Sequence, residues 1–361
     1  MKTSGPVLSE LMLLVKANRD TGGKYQVLSG FDGFVDKIQR PVKKKLGDGN
    51  LYFETIDEFA EHLKSLKGRS GQVEVTTEKT KLGGNAPILC NAFGKLGIRS
   101  ICIGAMGLPD TDPVFKAMSH HSKVISVVNP GESNAIEFAD GKIILSDLSV
   151  FDQYDWRYLK GRLNINEIQH QILNCQLLAF VDWVNLPCAT DLWEGFLHDV
   201  IRPLHKKDFH FLFDLCDPSR KSIQQIDEVL DLMSSFSTYG TVTLGLNENE
   251  TNRIWMALKG IDPKSNILRV NLPPLKEAGR FIFNMMAIDN LLIHPVDRTI
   301  VISKADIIEM KGRVVEEPKV QTGGGDNLNA GYCLGQLLGL DIRHCMLLGM
   351  AASGSYVQNG Y

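Results

Sequence analysis

Gln321-Thr322-Gly323-Gly324-Gly325-Asp326-Asn327-Leu328-Asn329-Ala330-Gly331 is the stretch around which the rest of the chain arranges itself. Three glycines leave the backbone bare, an aspartate follows at once, and Ala330, Leu334, Leu337 and Leu338 recur at helical spacing up to a stop at Gly339. A glycine-rich turn entering a helix N-terminus suits an anion, because free amides and the helix dipole both favour negative charge. A carboxylate at that position is expected to stay ionised near neutral pH. Anion hole and carboxylate together suit phosphoryl transfer, one holding the moving group and the other taking the acceptor's proton. The same letters also fit a loop that packs closely before a helix.

Outward from this stretch, short apolar β-branched runs alternate with helical patterns. The strand candidates are Tyr25 to Ser29, Ser100 to Gly104, Lys123 to Val128, Leu177 to Val181, His210 to Leu215, Thr241 to Leu246 and Asn290 to His294. Helical periodicity covers Asp57 to Leu66, Asp191 to Leu204, Ile223 to Phe236 and Leu275 to Ala287. This alternation predicts an α/β fold, a mostly parallel sheet covered on both faces. Two stretches break it. Residues 38–82 alternate polar and apolar near Leu51-Tyr52-Phe53 and Val73-Glu74-Val75, and residues 130–149 read as a hairpin turning at Asp140-Gly141. They are expected to form a small β-rich lid, with 1–37, 83–129 and 150–361 making the large domain. Edge hairpins on the main sheet are the other arrangement these patterns allow.

Composition narrows the function classes. The 361 residues are 43% hydrophobic and 22% charged, enough for one large α/β domain or two smaller ones. A net charge of −3 gives no basic field for nucleic acid, and Lys43-Lys44-Lys45 reads as a solvated loop or strand face. The seven cysteines form no Cys-x-x-Cys pair, and the histidines show no metal-binding spacing. No signal peptide or bilayer-length apolar run occurs, so a cytoplasmic location without membrane partners is expected. The Walker-type Gly-x-x-x-x-Gly-Lys-Ser/Thr motif, the dinucleotide fingerprint and the protein-kinase motifs are all missing from the sequence.

Other residues carry chemistry of the same kind. Asp32 and Asp36 follow the first strand, where ligands of parallel sheets gather, and a carboxylate there can take two polyol hydroxyls; a turn aspartate would look the same. Gly83-Gly84-Asn85 opens a helical stretch and allows close approach to a ligand, or caps that helix. Asn247 and Glu250 fit a phosphate contact and a magnesium-bound water, and equally a capping box.

Taken in order, these segments resemble the ribokinase-like (PfkB) carbohydrate kinase family over most of the chain. Gly323-Gly324-Gly325-Asp326, with Asn329-Ala330-Gly331, resembles its anion-hole and base motif. Gly83-Gly84-Asn85-Ala86 through Leu96-Gly97 resembles its N-terminal signature, Asn247 and Glu250 its Asn-x-x-Glu motif, and Asp36 its substrate aspartate, with Asp32 a second contact. The resemblance implies a three-layer αβα fold with a small β lid, ATP as donor, Mg2+ as cofactor, and phosphorylation of a hydroxyl on a sugar or sugar phosphate. Asp326 would be the general base, with the Gly323, Gly324 and Gly325 amides as the anion hole. Asp36, Asp32, Gly83, Gly84 and Asn85 would hold the substrate. Asn247, Thr322, His294, Arg298 and Asn329 would hold the nucleotide, and Glu250 the metal through water. His294-Pro295-Val296-Asp297-Arg298 departs from the family's Gly-containing turn, so His294 or Arg298 would replace backbone amides. The lid insert before Gly83 is long, and the chain stops at Tyr361, earlier than in relatives. A homodimer through the lid is a further implication of the resemblance. A nucleoside kinase, its base stacked on Tyr52, Phe53 or Phe138, and a sugar- or nucleotide-binding protein with little catalysis are the competing readings.

Overall fold

The computed structural model describes residues 4–17, 22–47, 49–320 and 322–360. In chain order the elements begin with α1 (Ser4–Ala17), β1 (Gln26–Gly30), β2 (Phe34–Leu46), β3 (Gly49–Tyr52), α2 (Ile56–Ser65), β4 (Val75–Gly83) and α3 (Asn85–Lys95). They continue with β5 (Arg99–Ala105), β6 (Ser122–Val128), β7 (Gly131–Phe138), β8 (Gly141–Asp147), α4 (Trp156–Lys160), α5 (Ile165–Leu173) and β9 (Leu177–Val181). Next come α6 (Ala189–Phe196), β10 (Phe209–Asp214), α7 (Ile223–Ser235), β11 (Gly240–Leu246), α8 (Glu248–Leu258), α9 (Leu275–Met285) and β12 (Asn290–Ile293). β13 (Arg298–Ser303), β14 (Ile307–Lys311), α10 (Gly324–Leu337) and α11 (Ile342–Asn359) complete the chain.

Nine strands form the main sheet in the order β14-β13-β12-β11-β10-β9-β1-β5-β6. The seven from β12 to β6 are parallel, and β13 and β14 add an antiparallel edge. β9 shows why its sequence is apolar throughout. All five of its residues are buried, Leu178 and Phe180 against the helices on one face and Leu177, Ala179 and Val181 against α3 and α10 on the other. The expected α/β class, with a mostly parallel sheet, is the observed one. Helix Asp191 to Leu204 is α6 followed by a π-helical turn, Leu197–Ile201, and a 3-10 turn, Arg202–Leu204. Nothing in the sequence pattern singled out α1, α4, α5, β13 or β14.

From β1 the chain builds outward to β5 and β6, then returns and builds the other way from β9 to β12. The order therefore reverses between β1 and β9, and a crevice opens beyond the strand ends at such a point.

A second, five-stranded sheet holds β3, β2, β7 and β8, with β4 also on β2. β2 is its spine, pairing antiparallel with β4 and parallel with β7, and it places Asp36 between Lys81 and Ser133. The β7–β8 hairpin closes with Phe138 opposite Gly141. Under this sheet Phe53 and Phe59 pack 5.3 Å apart, and Phe59 and Phe138 5.4 Å apart. Phe53 is buried and Tyr52 carries the Arg40 guanidinium. These rings are therefore engaged in packing rather than offered to a base. Lys43 and Lys45, on β2, pair with Glu58 and Glu74. Among the described residues no helix is long and apolar enough to cross a membrane.

Candidate active site

The C-terminal ends of five neighbouring parallel strands each deliver a polar side chain to one region. β1 leads to Asp32, β9 to Asp182, β10 ends at Asp214 and leads to Cys216, β11 leads to Asn247, and β12 to His294. The N-termini of α3 and α10 close that region, bringing in Asn85 and Asp326.

Asp326 lies in the first turn of α10 and is 6% exposed. Its Oδ1 accepts a hydrogen bond from Asn85 Nδ2 at 3.1 Å, tying α10 to α3. The Cys216 thiol donates to the other end of the same amide, Asn85 Oδ1, at 3.5 Å. Burial pushes the Asp326 pKa well above the ordinary carboxylate range; Asp214 and Asp182 add like charge, and the Asn85 hydrogen bond opposes it. Burial therefore works against the ionised form that the helix N-terminus favours. In this state burial and neighbouring carboxyls outweigh the helix dipole, whose effect is a fraction of one charge.

The glycine turn is built as its sequence implies. Gly323 sits in the left-handed region (φ 87°) as N-cap of α10, and a Cβ there would stand 3.0 Å from the Tyr356 hydroxyl. A Cβ on Gly325 would meet the His294 imidazole at 3.2 Å. His294 is thus packed directly against the turn, and its Nε2 is buried without a partner. Burial lowers the His294 pKa, with Asp214 opposing, so the ring is neutral near pH 7. Thr322 Oγ1 accepts from Lys81 Nζ at 3.3 Å, which links the turn to β4 of the small sheet.

Asp36 faces the same space from β2. A Cβ on Gly83 would lie 2.2 Å from Asp36 Oδ1, and one on Gly84 (φ +89°) 2.5 Å from Asp32 Oδ2. Only glycine at 83 lets β4 pass the Asp36 carboxylate. Burial raises the Asp36 pKa against the pull of Lys81 and Lys142. Tyr356, absent from the sequence reading, feels the charges of both Asp326 and Asp36 and so belongs to this site.

Several expected residues have other tasks. Asp32 is fully buried, and its carboxylate accepts from the Asn85 and Ala86 amides at 2.6 and 2.8 Å. It caps α3 and has no face left for a sugar, which corrects its place as a second substrate contact. Asn329, expected at the nucleotide, is also fully buried. Its Nδ2 donates to Asp214 Oδ2 at 2.8 Å, locking α10 to β10, so it is a structural residue. Arg298 is engaged by Asp297 at 2.7 Å and by Glu309 at 3.3 Å. Asn247 and Glu250 form a complete capping box on α8. Glu250 accepts from the Asn247 amide nitrogen and side chain at 2.8 and 2.7 Å, and Asn247 Oδ1 accepts from the Glu250 amide at 2.9 Å. Burial, then Asp214, pushes Glu250 up to about 8 against those donors. Among the described residues no group of three or more His, Cys, Asp or Glu could hold a metal directly.

Asp182, Asp214 and Cys216 were not anticipated. Their signal was present: each follows or ends a buried apolar strand, as in Phe180-Val181-Asp182 and Phe213-Asp214-Leu215-Cys216. Asp182 and Cys216 also have positive φ, 57° and 62°, which the letters alone do not reveal.

Residues 18–361 match the sequence profile of the prokaryotic ketohexokinases. The chain belongs to the prokaryotic ketohexokinase family. A curated ketohexokinase from Haloferax volcanii is 23% identical over 345 residues, covering 95% of this chain and 88% of that relative. Solved structures share the fold. Adenosine kinase from Sinorhizobium meliloti has a TM-score of 0.63 at 17% identity, covering 93% of this chain and 94% of its own. Ribokinase from Arabidopsis thaliana, complexed with ribose and ATP, has a TM-score of 0.58 at 13% identity, covering 93% of each. This carbohydrate kinase therefore has the ribokinase fold, and the expected family relationship holds.

Proposed function

We propose that this kinase transfers the γ-phosphoryl group of ATP to a hydroxyl of a ketohexose. The observation that carries the reading is the convergence, at one sheet end, of the buried Asp326 carboxyl, the glycine turn at the start of α10, and Asp36 from the small sheet. The ketohexose rests on the family to which the chain belongs.

Asp36 accepts hydroxyls of the sugar and fixes which one faces Asp326. Asn85 orients the Asp326 carboxylate through its 3.1 Å hydrogen bond. Asp326, once ionised, takes the proton of the attacking hydroxyl. The amides of Gly323 to Gly325 lie at a helix N-terminus, where the first N–H groups have no intrahelical acceptor, and they receive the phosphoryl oxygens. His294 stands beside Gly325 as a neutral ring with an unpartnered Nε2, available to the donor phosphates, and Thr322 and Asn247 flank them. The small sheet acts as a lid that excludes water, with the Lys81–Thr322 contact as its latch to the turn.

The residues fit a water-held magnesium better than a directly ligated one. Glu250 already accepts two hydrogen bonds, yet burial and then the Asp214 charge raise the pKa of both Glu250 and Asp326, a field that a cation relieves. Magnesium bound with ATP supplies neutralisation of the donor phosphates.

The test is Asp326→Asn assayed with fructose, ATP and Mg2+. Turnover should fall by roughly 10²- to 10⁴-fold, with fructose affinity by calorimetry within a few-fold of wild type. Turnover near the wild-type rate would remove Asp326 as base. Fructose binding without turnover by the wild-type protein with any nucleotide would instead favour a binding role.

A further inference from the structure

A cleft of about 370 Å³ lies at the N-terminal ends of the strands, the edge opposite the kinase site, and Gln26, Arg99, His120, His121, Lys123 and Gln171 line it. Its size is that of a small-molecule site. Its residues come together by sheet register rather than by chance. Gln26 pairs with Arg99, and Ile101 with Lys123. Paired residues share a face, as do residues two apart on one strand, so Gln26, Arg99 and Lys123 project to one side of three adjacent strands. That is the side covered by α5, which contributes Gln171.

The charged side chains that line the cleft, Arg99 and Lys123, are basic. Among the described residues Arg99 has no acidic partner, and the carboxylate nearest Lys123 is Glu167, at 3.9 Å. Glu167 is itself engaged by Gln171 Nε2 at 2.9 Å. His120 and His121 pack with ring centroids 4.0 Å apart and planes tilted by 40°, and add two imidazoles to the wall. Gln171 supplies the opposite need. Its Oε1 is buried and accepts no hydrogen bond, while its backbone oxygen takes Gln26 Nε2 at 3.2 Å. An unfilled buried acceptor and an unpaired guanidinium in the lining of one cleft call for a ligand with both an anion and a hydroxyl.

We propose that this cleft is a second binding site, for a small phosphorylated polyol. Its phosphate is held by Arg99 and Lys123, and one of its hydroxyls by Gln171. Arginine suits the phosphate because its planar fork donates two parallel hydrogen bonds, and lysine adds a point charge. The site is separate from the kinase centre and does not depend on the proposed catalytic roles.

The experiment follows the imidazole resonances of His120 and His121 by NMR during titration with ribose 5-phosphate and, separately, inorganic phosphate. Excess fructose and a non-hydrolysable ATP analogue occupy the kinase site throughout. Saturable shifts are expected with both ligands. The Arg99→Gln, Lys123→Gln double variant should weaken both by at least tenfold and leave kcat unchanged. Gln171→Leu should weaken ribose 5-phosphate by several-fold and inorganic phosphate hardly at all. Shifts absent at millimolar ligand, or equal affinities in the double variant, would overturn the site. Equal loss of both ligands in Gln171→Leu would overturn the hydroxyl contact.

Discussion

Gly83 shows how a single missing side chain sets the position of another residue's carboxylate. β4 runs so close to β2 that a methyl group at 83 would overlap Asp36 Oδ1, at 2.2 Å. The backbone at Gly83 does not need the left-handed region, so Gly83→Ala folds and its effect falls on Asp36. The carboxylate must turn away from the position proposed for its contact with the sugar. Fructose KM is expected to rise roughly 10- to 100-fold, the scale of one or two lost hydrogen bonds, while kcat changes little, because Asp326 and the glycine turn are untouched. Steady-state kinetics on the variant decides this. An unchanged KM would mean that Asp36 does not hold the acceptor.

At the scale of elements, α10 is the keystone, packed on α3 and α11 and pinned to the sheet by a polar bond inside an apolar contact. Asn329 Nδ2 satisfies Asp214 Oδ2 where water does not reach. Asn329→Ala leaves that oxygen without its donor and opens a small void, so the loss should be roughly 2 to 4 kcal/mol. Equilibrium urea unfolding measures it, and a loss below about 0.5 kcal/mol would show that the pair is dispensable. This bond also marks how far the sequence could be read. The seven parallel strands and most of the helices between them were legible because burial on both faces writes itself as apolar runs and 3.6-residue spacing. The glycine turn, Asn85 and Asp326 were legible because a helix N-terminus has its own chemistry. The antiparallel edge was not: β13 is buried at its centre, but β14 is short and half-exposed, and Lys304 and Asp306 separate the two. Asn329 looked like part of the nucleotide motif because nothing local says that its helix turns that side chain to β10. Asp182 and Asp214 meet Asp326 only through the order of the strands, which no local pattern encodes.

Over the whole molecule, the cost of the site is electrostatic. Asp32, Asp182, Asp214, Glu250 and Asp326 are gathered at one sheet end, and burial raises the pKa of each. An acid whose pKa is higher in the folded than in the unfolded chain favours folding while protonated. Its contribution is fully present below the unfolded value and is lost as pH rises through the folded one. For Glu250 that window runs from 4.5 to about 8. The ligand-free protein should therefore lose thermal stability between about pH 5 and pH 8. Catalysis runs the other way. As the proposed base, Asp326 must be ionised to accept a proton, so kcat/KM should climb as pH rises, with its acid limb above the usual carboxylate region. Asp326→Asn separates the two effects. It removes one charge from the cluster and keeps the shape, so it should melt a few degrees higher than wild type at the alkaline end of the series and almost together with it at the acid end, while turning over little substrate. Scanning calorimetry of both proteins across the series is the measurement. Melting curves that stay parallel from pH 5 to pH 8 would show that Asp326 holds no extra proton, and an ordinary carboxylate would then set the acid limb.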